Sequence, residues 1–242
     1  ALRAVGVKPG DKVLTNAFTL APVPGAIASV NAKPVFVGVT DQLVIDLEDL
    51  AEKVKVSDVL LLSHMRGHLA DMEALMDICT AAGVTVIEDC AHTMGAAWNG
   101  VPSGTQGTIG CYSCQTYKHM NSGEGGLFVT DDAEIAARAI MLSGSYMLYE
   151  KHLAGPPKEA FEKIRYETPN VSGRMDNLRA AILRPQLRDL ATQCARWNER
   201  YFALEKGLRD TPGLSVIERP EKETIVGSSI QFLLKDWSAS AV

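Results

Sequence analysis

Short apolar runs at 12–15, 34–39, 59–63 and 85–88, each with Gly, Pro, Asp or Asn nearby, predict buried strands. Between the last two, residues 70–82 place Leu75, Met76 and Cys79 on one helical face. The stretch 59–88 therefore reads as a βαβ crossover, with Glu88 and Asp89 at the carboxyl end of its second strand. Open α/β sheets collect ligands at that edge. Beyond a polar, Gly-rich loop at 99–107 the pattern predicts strands at 108–113 and 126–130, then a helix opened by Asp131 and Asp132. The alternation breaks at 146–172, where Pro156, Pro157 and Pro169 mark a loop-rich stretch, and a long helical run begins near Arg174. Pro185 inside that run predicts a kink or a break. Past Gly213, segments 214–218 and 230–234 read as strands of a second subdomain.

Composition narrows the class of partner. With 24 Lys+Arg against 29 Asp+Glu the net charge is −5, which disfavours a nucleic-acid backbone. At 46% hydrophobic and 22% charged residues, the 242-residue chain has the make-up of a folded globular protein. Its apolar runs break within a few positions, far short of the roughly 20 residues of a membrane helix. Five cysteines are too few, and odd in number, for a disulfide framework, so a reducing cytoplasm is the simplest reading. The chain starts at Ala1 without an initiator Met or a signal sequence and reads as internal to a longer protein.

The densest chemistry lies in Glu88-Asp89-Cys90-Ala91-His92, in Lys118 downstream of Ser113, and in Gly123-Glu124-Gly125-Gly126. A strand-end carboxylate and a lysine flanked by a serine and a glycine turn are parts that a pyridoxal-phosphate enzyme uses. The lysine holds the cofactor as a Schiff base and later moves a proton, while the Asp keeps the pyridine nitrogen protonated. Ser113 and backbone amides of the glycine turn suit a phosphate. Periodicity alone leaves open the plainer reading, a surface lysine and a capping Asp.

Further motifs follow in one order along most of the chain. They are Gly10-Asp11-Lys12-Val13-Leu14-Thr15, His64-Met65-Arg66-Gly67-His68 with Asp71-Met72, Gly95-Ala96, and Arg174-Met175 with Ala180-Ala181. Together with the two clusters above they resemble the DegT/DnrJ/StrS-type family of sugar aminotransferases. The resemblance implies an α/β fold: an aspartate-aminotransferase-like large domain with a mostly parallel sheet, over 1–190, and part of a small C-terminal α+β domain, over 191–242. It further implies pyridoxal 5'-phosphate as cofactor, a homodimer, and transfer of an amino group from glutamate to a keto sugar linked to a nucleotide. Carried over by position, Lys118 is the Schiff-base lysine and general acid/base, Asp89 the pyridinium partner, Ser113 a phosphate ligand, and His92 a neighbour of the ring oxygen. Arg174 becomes a substrate-binding residue near the partner subunit's site.

Three positions depart from the family pattern. The phosphate-binding Ser-Gly-Thr turn would precede Ala1. Leu20 stands where an aromatic residue stacks on the ring, with Phe18 close by as a substitute. Ser172 replaces the usual Asn, and Asn170 takes its cofactor-binding role through a shifted loop.

Other readings of these residues compete. His64, His68, Asp89 and His92 suggest a metal-dependent hydrolase, but Gly67 and a turn argue against a rigid helical chelate, and no metal is expected. Cys111 and Cys114 form a C-x-x-C pair, yet on a strand residues three apart face opposite ways, so packing is favoured over redox or zinc chemistry. No dinucleotide or P-loop fingerprint is present. The remaining alternative is a catalytically inactive fragment or pseudoenzyme of the same fold.

Overall fold

In the first half of the chain β-type and helix-type segments alternate as β1 (Lys12–Asn16), α1 (Pro22–Ser29), β2 (Lys33–Val37), α2 (Leu47–Lys53), β3 (Val59–Ser63), α3 (Met72–Ala82) and β4 (Thr85–Asp89). A small hairpin, β5 (Ala97–Trp98) and β6 (Val101–Pro102), precedes β7 (Ile109–Ser113), β8 (Gly126–Val129) and α4 (Ala133–Ser143). Then come α5 (Glu159–Glu162), the long α6 (Asn177–Arg209), and the short strands β9 (Leu214–Val216), β10 (Glu223–Thr224) and β11 (Phe232–Leu234). This computed structural model describes residues 1–145 and 147–235.

The central sheet has the order β2-β1-β3-β4-β7-β8. Its neighbours run parallel except for the antiparallel β7–β8 pair. Parallel strands covered on both faces are apolar at successive positions, and β3 is buried at every one of its residues. One face (Leu14, Val37, Leu60, Leu62, Val86) packs on Leu50 of α2 and on Met72, Leu75 and Cys79 of α3. The other face (Val13, Val59, Leu61, Ile87, Ile109) packs on Ile27 of α1 and on Leu2 and Val30.

Local chemistry sets the ends of α3. The Asp71 carboxylate accepts from Ala74 N at 3.1 Å, and Gly83 closes the helix in the left-handed region at φ 70. The expected strands at 59–63, 85–88, 108–113, 126–130, 214–218 and 230–234 appear with shifts at their ends. Strands β9 and β11 pair antiparallel, whereas β10 joins the hairpin in a sheet of order β10-β5-β6.

The break expected at Pro185 does not occur, since α6 runs through it. Pro185 removes one amide donor, but tertiary contacts hold the helix on both sides of it. Leu183 is buried beside Met94, Cys114 and Met120. Gln186 exchanges two hydrogen bonds with the backbone of Asn121, at 2.8 and 2.9 Å. Further along, Asn198 donates to Ile225 O and accepts from Gly227 N, tying α6 to the segment that follows β10.

That C-terminal segment also grips the loop after β3. Arg219 donates to Gly67 O at 2.8 Å and pairs with Glu223 at 3.0 Å, while Glu223 accepts from Leu69 N at 3.0 Å. Both ionic side chains are nearly out of solvent, at 9% and 1% exposure. His68 and Gln231 complete the contact at 2.9 Å.

One glycine marks where two backbones meet. A β-carbon at Gly110 in β7 would collide with the carbonyl oxygen and α-carbon of Gly104. Gly110→Ala is therefore expected to cost about 3 kcal/mol or to prevent folding. Chemical denaturation of the variant measures this, and an unchanged midpoint would refute the close approach.

Candidate active site

Successive side chains of a strand point to opposite faces, so at the end of β4 Glu88 and Asp89 are sent apart. The register aligns Ser63 of β3, Asp89 and Cys111 of β7 in one row across the carboxyl edge of the sheet. Ser113 lies two residues beyond Cys111 on the same face. All four line a cavity of about 850 Å³, together with Leu20, Met65, His92 and Lys118. The expectation that ligands collect at this edge thus coincides with this cavity.

The edge is also where strand order reverses, because β2 lies on one side of β1 and β3 on the other. Asn16, at the end of β1, bridges the divergence there. Its side chain donates to Phe18 O and Ser63 O, each at 3.0 Å, and accepts from Ser63 N at 2.8 Å. Above it runs a line of hydroxyls. Thr19 Oγ1 donates to Ser63 Oγ at 2.8 Å, and Ser63 Oγ donates to Asp89 Oδ2 at 3.2 Å. The other oxygen of Asp89 accepts from Ala91 N at 3.1 Å. Asp89 is thus oriented by two donors before any ligand arrives.

On the opposite face Glu88 is completely buried. Its Oε2 accepts from His64 Nε2 at 3.0 Å and Gly104 N at 2.8 Å. Its Oε1 accepts from Gln106 N at 2.9 Å and Gly107 N at 2.7 Å. Burial alone would push its pKa up, but the His64 bond and charge and the backbone amides outweigh that and hold it below the ordinary value.

Lys118 sits on the loop between β7 and β8, and turns fix that loop. Lys118 N donates to Gln115 O at 2.9 Å, Thr116 N to Gly123 O at 3.0 Å, and Ser122 N to Cys114 O at 3.0 Å. The Lys118 ammonium lies 3.1 Å from His92 Nε2. Burial lowers the Lys118 pKa, Asp89 opposes the shift, and the charge of Arg66 adds to it. His92 is lowered to about 4, first by burial and then by Lys118, Arg66 and His119. A neutral imidazole can accept the lysine's proton in a hydrogen bond, which is the arrangement the distance supports.

The candidates read from sequence divide accordingly. Asp89, His92, Ser113 and Lys118 meet at the cavity. Asn170 and Arg174 are not among its lining residues but lie at its edge next to the end of α4, where Leu142 and Val171 do line it. Asn170 accepts from the amide of Ser172, which occupies the left-handed region at φ 51, and Arg174 donates to Gly144 O at 3.2 Å. Leu20 lines the cavity, and Phe18 is not among the lining residues, so the wall there is aliphatic.

His64 and His68 serve different partners, Glu88 and Gln231. The ligand atoms of His64, Glu88 and Cys90 do lie within 4.8 Å of one another. Glu88 already accepts four hydrogen bonds, however, and burial pushes the Cys90 thiol far above its ordinary pKa. That donor set suits a structural lock better than a metal centre.

Ser63 lines the cavity and Thr19 bonds to it, neither having been singled out, while Arg66 of the His64–His68 motif follows Met65 of the wall. Ser63 carried a signal, as the one polar residue closing an apolar strand. Arg66 sits at φ 56, ψ 18 in the turn after β3. A non-glycine residue held there costs about 1 to 2 kcal/mol.

Comparisons with known proteins converge on one family. The sequence profile described as the DegT/DnrJ/EryC1/StrS aminotransferase family matches residues 1–236. A pleiotropic regulatory protein of Geobacillus stearothermophilus is 35% identical over 206 residues, which are 83% of this chain and 50% of that protein. An L-glutamine:scyllo-inosose aminotransferase of Streptomyces griseus is 34% identical over 202 residues, 81% of this chain and 46% of that protein. Among solved structures, S. venezuelae DesV superposes with a TM-score of 0.84 at 27% identity, covering 97% of this chain and 61% of its own. The chain spans about half the length of these curated relatives. The α/β fold with a mostly parallel sheet is the one expected from sequence.

Three histidines around the site are held neutral by burial: His68, His92 and His119 are each lowered from 6.5 to about 4. The unfolded chain binds more protons than the folded one between those values, so stability is complete above about pH 6.5 and falls as pH drops toward 4. For the buried His68 alone the loss at pH 5 is about 2 kcal/mol. Urea midpoints at pH 7 and pH 5 check this, and His68→Gln should flatten the slope.

Proposed function

The chain belongs to the DegT/DnrJ/EryC1/StrS aminotransferase family, and from that premise we propose that its cavity holds pyridoxal 5'-phosphate for transfer of an amino group to a keto sugar. One observation carries the reading. A carboxylate, a lysine of lowered pKa, a neutral histidine and a serine hydroxyl converge on one cavity at the carboxyl edge of the sheet. This donor set fits the group: a carboxylate for a protonated ring nitrogen, an amine for a carbonyl carbon, and a hydroxyl for a phosphate. When bound, the cofactor supplies the electron sink that lets a C–H bond next to nitrogen break.

The chain's own residues do the rest. Asp89, fixed by Ser63 Oγ and Ala91 N, is the residue that would keep a proton on the ring nitrogen. Burial lowers the proton affinity of Lys118, with Asp89 opposing and the Arg66 charge adding to the shift, so its amine is the group that would hold the cofactor and move a proton. His92 receives a hydrogen bond from that amine and orients it. Leu20 and Met65 wall the cavity with apolar surface that excludes water. In Asn170 and Arg174 we see residues that serve the cavity of a second copy in a homodimer. Exposed apolar side chains on α6 (Leu178, Ile182, Leu187) and at Met147, Leu148 and Val171 support that pairing.

The amino donor is glutamate or glutamine, and the glutamine named for the Streptomyces griseus relative favours the latter. The acceptor is a keto sugar linked to a nucleotide. Residues 1–190 form the cofactor-binding unit, and 191–242 contribute to a smaller one. The free thiols suit a reducing cytoplasm. A second reading, an inactive member of the same fold, draws on the regulatory name of the Geobacillus stearothermophilus relative.

Two experiments follow. Pyridoxal phosphate added to the wild-type protein should give a visible band that borohydride fixes covalently and that Lys118→Ala abolishes. No band in either protein would sink the cofactor assignment. Ser63→Ala removes one hydrogen bond to Asp89, so cofactor affinity should fall about tenfold by fluorescence titration while the band survives. Unchanged affinity would show that Ser63 does not orient Asp89.

A further inference from the structure

The turn that follows β3 is built around Arg66, and its surroundings fix where it stands. Met65 before it lines the cavity. A β-carbon on Gly67 after it would lie 3.1 Å from His92 O, so the turn is packed against the backbone of His92. Arg66 O accepts from Ser229 Oγ at 3.4 Å, and Gly67 O accepts from the Arg219 guanidinium at 2.8 Å. The turn is thus held from the cavity side and from the C-terminal segment, which explains how an arginine is kept at φ 56.

The guanidinium itself is left over. Among the described residues it makes no ion pair and no side-chain hydrogen bond, and Arg66 is the one exposed residue in the run Val59–Ala70. Of the two acidic residues that line the cavity, Asp89 is taken by Ser63 and Ala91, and Glu124 makes no ion pair with Arg66 among the described residues. The effect of the charge is nonetheless felt inside, since it lowers both Lys118 and His92. A permanent cation beside a lysine is costly to keep unless an anion arrives between them.

We infer that Arg66, exposed beside the cavity and next in the chain to Met65 of its wall, is an oxyanion-binding residue that engages a carboxylate or phosphate group of the incoming substrate. The inference rests on the reading of the cavity as a substrate site and adds to it a chemical requirement. One reacting partner presents an anionic group within reach of this turn, either the carboxylate of the amino donor or the phosphates of a nucleotide-linked acceptor. A guanidinium suits both because its planar donors pair two oxygens at once.

Calorimetric titration of the full chain, with and without pyridoxal phosphate, separates the sources by using glutarate and uridine diphosphate as probes. Arg66→Asn removes the charge with a side chain that tolerates the left-handed region, and Arg66→Lys keeps the charge without the fork. Wild type is expected to bind one probe, with affinity reduced tenfold or more in Arg66→Asn and only a fewfold in Arg66→Lys. Glutarate binding would assign the residue to the donor, and diphosphate binding to the acceptor. Wild type that binds neither probe, or Arg66→Asn that binds as wild type does, would overturn the inference. Failure of the cofactor reading shows itself separately, as absence of the Lys118-dependent band.

Discussion

Glu88 is a fully buried carboxylate, and such a group persists in a fold only when its partners replace the water it has lost. Here His64 and three consecutive-loop amides, from Gly104, Gln106 and Gly107, do so. Removing one partner of a buried ionic contact typically costs about 3 to 5 kcal/mol, so the end of β4 cannot rotate or slip. Because strand side chains alternate, fixing Glu88 toward one face fixes Asp89 toward the other. The same loop lies on Gly110 of β7, which carries the lock sideways to the strand that ends in Ser113. A structural carboxylate behind the sheet thereby positions a chemical one in front of it.

How much of this was legible in the sequence depends on how local each cause is. The central strands announced themselves because doubly buried parallel strands are short apolar runs, and α3 did so through its spacing and its Asp71 and Gly83 caps. Helix α1 was hidden by its composition, Pro22-Val23-Pro24-Gly25, which reads as a turn until Ile27 is seen packed on the sheet. Helix α2 is only seven residues long, too short for periodicity to declare it. Pro185 failed as a breaker because Leu183, Gln186 and Asn198 fasten α6 to three distant segments, and tertiary packing overrules a single missing amide bond.

The site shows the same division. Asp89, His92, Ser113 and Lys118 lie in two short motifs, so residue type and order were enough to group them. The line from the Thr19 and Ser63 hydroxyls to the Asp89 carboxylate joins the loop after β1 to two strand ends, across 44 and 26 positions, and only the fold of the sheet brings them together. Asn170 stood out as the nearest match to a missing asparagine, but its side chain is spent on the turn at Ser172. Ser172 itself occupies the left-handed region at φ 51, a conformation that asparagine also tolerates.

The C-terminal segment bears on the chemistry more directly than its place in the chain suggests. Arg219 and Glu223 are a buried pair whose strongest contacts are to the backbone of Gly67 and Leu69, on either side of His68. They brace the turn that presents Arg66, from positions more than 150 residues away in sequence. Lys118 is braced in parallel, since the Gln186 and Asn121 exchange ties its loop to α6. Lys118 in the cavity wall and Arg66 beside it therefore stand on separate supports, and their mutual repulsion is resisted by the fold. Burial lowers the lysine's proton affinity most, Asp89 opposes it, and the Arg66 charge adds a smaller contribution that these supports keep in place. A ligand anion entering between them would raise that affinity again, so arrival of substrate and protonation of Lys118 are thermodynamically linked.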